Sequence, residues 1–151
     1  MKRPSEGEFG TALRAIDLRL YVFKPGDDMR NWKPCDYMVW LAPFHGARTG
    51  DTFWFEVKDT DAVNTFSFKE LRPAQRQGIA DAVRVGIPYW LAVYWRRHQS
   101  WTISDATRLV AYAVDPATKS VSRELLMSRF GVQSSKALLS STLKSILLGE
   151  V

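Results

Sequence analysis

The segment Thr52-Phe53-Trp54-Phe55-Glu56-Val57-Lys58 has a two-residue period and predicts a β-strand. Thr52, Trp54, Glu56 and Lys58 share one face of it, and Phe53, Phe55 and Val57 share the other. The apolar run Asp36–Ala42 predicts the strand before it, with 43–51 as the connecting loop. Further strands are expected at Leu18–Phe23, closed by Pro25-Gly26-Asp27-Asp28, at Ile87–Trp95 and, briefly, at Trp101–Ile103. Helical spacing predicts helices from Ser5 to about Ile16 and from Pro73 to about Val85, the second opened by proline and ended by Gly86. Ser104 is placed to cap a helix from Asp105 to about Ala113, and a short helix is expected at Arg123–Arg129, stopped by Gly131. The last segment, Ser134–Leu148, reads as one amphipathic helix with Leu138, Leu139, Thr142, Leu143, Ile146 and Leu147 on a single face, suited to packing on its own domain or to a dimer contact. Asp59–Lys69 is polar and turn-rich and is expected to be a mobile loop. No internal repeat or linker is visible.

Register converts this pattern into a candidate site. If the two central strands pair antiparallel with Ala42 opposite Thr52, Met38 falls opposite Glu56 and Asp36 opposite Lys58, all on one face. Two carboxylates and an ammonium then converge at one end of a hairpin. A hard divalent cation such as Mg²⁺ takes one or two carboxylates plus water and substrate phosphate, so Asp36 and Glu56 are candidate ligands and the Val57 carbonyl a third. Lys58 is placed to orient a nucleophile or stabilise developing charge, and the expected chemistry is metal-assisted phosphodiester hydrolysis. A Glu-x-Lys tripeptide alone carries little weight, and Glu56 and Lys58 also fit the solvated face of an antiparallel sheet. Trp40 and Trp54 on the same face fit that second reading less well. Gln75 has two readings as well. It lies one turn before Ile79 on the apolar stripe of its helix, where it serves either as an N-terminal cap or as a polar group facing the site.

Composition narrows the class. The chain has 151 residues, 46% hydrophobic and 25% charged, as expected of a single globular domain spanning 1–151. No apolar run is long enough for a bilayer and no signal-peptide core opens the chain, so a cytoplasmic protein without a membrane partner is expected. One cysteine, Cys35, allows no internal disulfide, and two histidines make no zinc constellation. A net charge of +5 favours a polyanionic partner such as nucleic acid.

The spaced set Pro34-Cys35-Asp36-Tyr37, Trp54-Phe55-Glu56-Val57-Lys58-Asp59-Thr60 and Phe66-Ser67-Phe68-Lys69-Glu70-Leu71-Arg72-Pro73-Ala74-Gln75 resembles the PD-(D/E)xK nuclease superfamily. The likeness continues through the Gly86–Trp95 strand and Lys119–Arg123. Within the superfamily the chain looks most like the RecU-type Holliday junction resolvases and, more distantly, the archaeal Hjc-like resolvases. The resemblance implies an α/β, restriction-endonuclease-like fold with a central mixed β-sheet flanked by helices. It implies Asp36 and Glu56 as metal ligands, Lys58 as the catalytic lysine and Gln75 as a supporting polar residue. Glu8 matches the acidic residue that such resolvases carry on their first helix, although Ser5-Glu6-Gly7-Glu8 also has the spacing of a capping box. The implied enzyme is a crossover junction endodeoxyribonuclease that uses Mg²⁺, with Mn²⁺ as an alternative, and acts as a homodimer on branched, four-way DNA. Lys33, Arg48, Lys69, Arg72 and Arg76 lie nearest the site in the expected topology and are the candidate DNA contacts. The short Pro25–Lys33 segment departs from RecU enzymes, which carry a protruding stalk there. A restriction or repair nuclease on duplex DNA, and a non-catalytic DNA-binding module, are the alternatives on the same fold.

Overall fold

The computed structural model describes residues 4–26, 33–42, 51–113 and 115–151. Its centre is β3 (Asp51–Thr60), the long strand that carries Glu-x-Lys. β2 (Tyr37–Leu41) pairs with it antiparallel on one side, and β1 (Leu20–Phe23) lies antiparallel beyond β2. On its other side β3 pairs parallel with β5 (Tyr89–Trp95). β6 (Ser100–Asp105) and β8 (Gly131–Ser135) then follow antiparallel, giving a six-stranded mixed sheet in the order β1-β2-β3-β5-β6-β8. A parallel neighbour requires a crossover. Between β3 and β5 the chain runs through the short β4 (Thr65–Ser67), a 3₁₀ turn (Phe68–Glu70) and α2 (Pro73–Val85).

Helices cover both faces. α1 (Pro4–Arg14) and α5 (Leu139–Leu147) bury Phe9, Leu13, Leu143 and Ile146 against Phe53, Phe55, Val57 and Trp101. On the opposite face α2, α3 (Ala106–Tyr112) and α4 (Arg123–Ser128) pack Ile79, Ala82, Leu109 and Leu126 around Met38, Trp54, Leu91 and Val93. The central mixed β-sheet flanked by helices is the architecture expected from the sequence. Trp54 and Phe55 fall in different clusters, as the two-residue period requires. Full burial of large apolar side chains such as Phe55 contributes about 1.5–3 kcal/mol each, which offsets the several kcal/mol that burying a charged group on the other face costs. The central strand can therefore hold ionisable groups that an edge strand would leave in water.

Several expectations from the sequence change. The β2–β3 register is two residues from the one proposed, with Trp40, not Ala42, opposite Thr52. A slip of two preserves every face, so Glu56 and Asp36 stay on the same side and come closer. Asp59–Lys69 is held rather than loose. β3 extends to Thr60, Arg96 pairs with Asp59 and Asp61, Arg97 donates to the Asp61 carbonyl at 3.0 Å, and β4 pairs with β7 (Ser120–Ser122). Asp105, not Ser104, caps α3, accepting from the Thr107 and Arg108 amides, while Ser104 is a buried residue of β6. Ser134 belongs to a strand, and the terminal helix begins only at Leu139, leaving Leu138 exposed. Ser5 lies inside α1, and its hydroxyl donates to Asp59 at 3.0 Å, so it does not form the expected capping box.

Candidate active site

Asp36 stands one residue before β2, and its amide donates at 3.0 Å to the carbonyl of Phe55, the residue already paired with Tyr37, so the regular ladder ends there. The carboxyl groups of Asp36 and Glu56 are hydrogen-bonded to each other. The Asp36 carboxylate turns onto β3, where Oδ2 accepts the Val57 amide at 2.8 Å. A strand residue presents its N–H and C=O to the same neighbour. The Val57 carbonyl therefore faces the Asp36 side too, where β2 has ended. Lys58, two residues on from Glu56, brings Nζ within 3.3 Å of Glu56 Oε1.

The fourth member comes from α2. Gln75 Nε2 donates to Glu56 Oε1 at 2.5 Å, and Gln75 Oε1 accepts the Arg72 amide at 2.8 Å. Both readings of Gln75 therefore describe one side chain, whose two ends cap the helix and grip the carboxylate. Asp36, Glu56, Lys58 and Gln75 are 8%, 2%, 5% and 9% exposed, so Glu56 and Lys58 do not form a solvated face.

Electrostatics follow from this burial. Glu56 is pushed up to about 8, first by desolvation and then by the charge of Asp36, against the pull of Lys58. Asp36 is also raised by burial, and the Val57 amide works in the opposite direction. Two carboxyl groups that resist joint ionisation form a site short of positive charge. Lys33 adds some, its Nζ lying 3.8 Å from Asp36 Oδ1. Among the described residues no group of three or more His, Cys, Asp or Glu side chains is placed to hold a metal ion. The oxygens gathered at the end of β2 belong to the two carboxylates and to the Val57 carbonyl. Cys35 is fully buried, its thiol pushed far up by desolvation and by Glu56, and its Sγ lies 3.3 Å from the Tyr37 carbonyl. It is a packing residue.

No family model and no curated protein sequence matches the chain. Among solved structures it is similar to Hjc of Archaeoglobus fulgidus, a Holliday junction resolvase from an archaeal hyperthermophile, with a TM-score of 0.47 and 13% identity over 89% of this chain and 91% of that one. A likeness of this size assigns no function.

The remaining candidates divide. Glu8 is not brought to the cluster. It is exposed, 3.4 Å from Lys136, while Glu6 pairs with Lys24 and its charge is felt at Asp36. Two residues along a helix are turned by about 200°, so only one of these glutamates can face Asp36. The first-helix acid nearest the site is thus Glu6, on α1's partly covered side. Lys69 and Arg72 are exposed at the entrance to α2. The Arg76 guanidinium is occupied within the fold, donating to the Phe68 and Leu71 carbonyls at 2.8 and 3.2 Å. Arg48 lies outside the described residues.

Sequence reasoning missed Tyr89 and Gly78. Tyr89 looks like one more aromatic in a buried strand and Gly78 like a weak helix residue, and only their non-local contacts with Pro34 distinguish them.

Proposed function

We propose that the chain is a Mg²⁺-dependent endonuclease that hydrolyses phosphodiester bonds in four-way DNA junctions, with Mn²⁺ able to replace Mg²⁺. The observation that carries this reading is the buried convergence of Asp36, Glu56, Lys58 and Gln75 on one face at the end of β2. The donor set suits the ion. Mg²⁺ is held by one or two carboxylates, completed by water and substrate phosphate, and not by a dedicated cage. The raised Glu56 and Asp36 also mark a site that gains from added positive charge. Asp36, Glu56 and the Val57 carbonyl would hold the ion, which when bound lowers the pKa of a coordinated water and neutralises charge on the phosphoryl group.

The protein's own groups do the rest. Gln75 and Lys58 converge on Oε1 of Glu56 and hold the carboxylate in place beside Asp36. The Val57 amide fixes Asp36 through Oδ2, while Oδ1 lies 3.8 Å from Lys33 Nζ. The Lys58 ammonium, already at the carboxylate, orients the attacking water and donates to the phosphoryl oxygen as its charge develops. Gln75 keeps Glu56 from rotating.

The junction as substrate, and a homodimer as the working form, rest on the spaced motif set and on the net charge of +5. Paired cuts in a two-fold branched substrate need two sites related by a two-fold axis. Lys33 beside Asp36, with the exposed Lys69 and Arg72 ahead of α2, would supply salt-sensitive affinity for phosphate. The test offers four-way junction, linear duplex, nicked duplex and single-stranded DNA with Mg²⁺ and maps the cuts. Symmetric paired nicks confined to the junction support the reading, whereas preferential duplex cutting rejects the junction as substrate.

A further inference from the structure

The carboxylate of Asp36 owes its position to the peptide that precedes it. Pro34 has no N–H, and its buried carbonyl needs a donor from elsewhere. Tyr89, at the start of β5, supplies one. Its hydroxyl donates to the Pro34 carbonyl at 2.5 Å across 55 residues of sequence, and the ring is fully buried in edge contact with Trp54. The same hydroxyl lies within hydrogen-bond reach of Glu56, so it touches both the Pro34 peptide and the second carboxylate.

From the other side α2 lies directly on the same peptide. A Cβ at Gly78 would fall 2.8 Å from Pro34 Cα and closer still to its carbonyl oxygen, main-chain atoms that cannot swing aside. Gly78 is one turn after Gln75 on the buried stripe of α2, so a single helix both grips Glu56 and seats Pro34.

We infer that Tyr89 is a positioning residue whose hydroxyl, working against the glycine seat at Gly78, fixes the Pro34 peptide and thereby sets the Asp36 carboxylate opposite Glu56. Only Cys35 separates Pro34 from Asp36, so a shift of the Pro34 carbonyl is passed directly to the carboxylate. The inference rests on the metal-binding reading of the site.

Its test is Mn²⁺ affinity, measured by titration calorimetry on the intact protein well below the unfolding temperature, with circular dichroism checking the fold. Tyr89→Phe removes one oxygen and keeps the ring, and it is expected to weaken Mn²⁺ binding about tenfold, the scale of a lost outer-shell partner. Gly78→Ala displaces the same peptide from the other side and is expected to weaken binding in the same direction. 4-Aminophenylalanine at position 89 restores a donor and is expected to recover affinity. Tyr94→Phe, on the same strand with its hydroxyl beside Lys136, should leave affinity unchanged. Wild-type binding with Tyr89→Phe and Gly78→Ala both folded and within twofold of it overturns the positioning role alone. Absence of Mn²⁺ binding by the wild type overturns the metal-site reading and this inference with it.

Discussion

Replacing Glu56 with glutamine changes little in shape and removes one buried charge, so its effect on the metal-free protein reports how the site is poised. Glu56 rises from an ordinary 4.5 to about 8, with burial the largest cause. Because the folded value is the higher, the folded state holds a proton between pH 4.5 and 8 that the unfolded state has released. The associated stability is fully present below pH 4.5 and is lost as pH rises through 8. At about 1.4 kcal/mol per pH unit the interval sets a ceiling of about 5 kcal/mol, which relaxation and water penetration reduce to about 2 kcal/mol in practice. For a domain of this size that is a fall of roughly 6 °C in Tm. The assay is thermal unfolding in chelator at pH 5.5 and pH 9, with wild type and Glu56→Gln side by side. Titrating groups distant from the site act equally in both proteins, so the difference between the two pH dependences reports Glu56 together with the groups coupled to it, Asp36 first. Saturating Mg²⁺ should restore wild-type Tm at pH 9 and leave Glu56→Gln unmoved, since a ligand specific to the folded state stabilises in proportion to its occupancy. A wild-type Tm that is flat or rises between these pH values, or an equal fall in Glu56→Gln, refutes the reasoning.

Lys58→Ala should reduce single-turnover cleavage about 100-fold or more, the scale of a lost transition-state donor, while Mn²⁺ affinity measured by calorimetry stays at or above the wild-type value. Gln75→Ala removes the cap on the Arg72 amide and the Glu56 contact together, and chemical denaturation should show a loss of about 1–2 kcal/mol accompanied by weaker metal binding. Arg76→Ala should lower stability by a similar amount through the two hydrogen bonds it removes, the Phe68 carbonyl keeping the Leu71 amide and the Leu71 carbonyl losing its side-chain donor. Its salt dependence of DNA binding should match wild type, whereas Lys69→Ala and Arg72→Ala should each reduce that slope by about one.

The features legible in the sequence are those set by local chemistry. Pro73 and Gly86 bound α2 because proline suits a first helical turn and only glycine readily takes the left-handed φ of 76° observed at Gly86. The faces of β2 and β3 were legible for the same kind of reason. A two-residue period survives the two-residue error in register, so Asp36 was assigned to the correct side although Lys58 was named as its partner in place of Glu56. What long-range pairing decides was hidden. Gln133-Ser134-Ser135 has no apolar pattern and becomes strand only because β6 supplies its hydrogen bonds. The three-residue β4 exists because β7, some 55 residues on, lies beside it. At the site, Gln75 could be read as cap because Arg72 lies one turn before it, and as site residue because a polar group on the buried stripe of its helix needs a partner. Tyr89 could not, because the partners of its one polar atom, the Pro34 carbonyl and Glu56, are brought to it only by the tertiary fold.

The central claim is that Asp36 and Glu56 form a metal site for phosphodiester hydrolysis, and cleavage of a synthetic four-way junction by purified protein tests it most directly. With the enzyme in excess and binding measured in parallel, wild type should nick the junction in Mg²⁺ and stop in chelator. Asp36→Asn should bind the junction with little change and cut it at least a thousandfold more slowly, by about 4 kcal/mol of lost transition-state stabilisation. Cleavage by Asp36→Asn at the wild-type rate, or cleavage by wild type undiminished in chelator, would contradict the account.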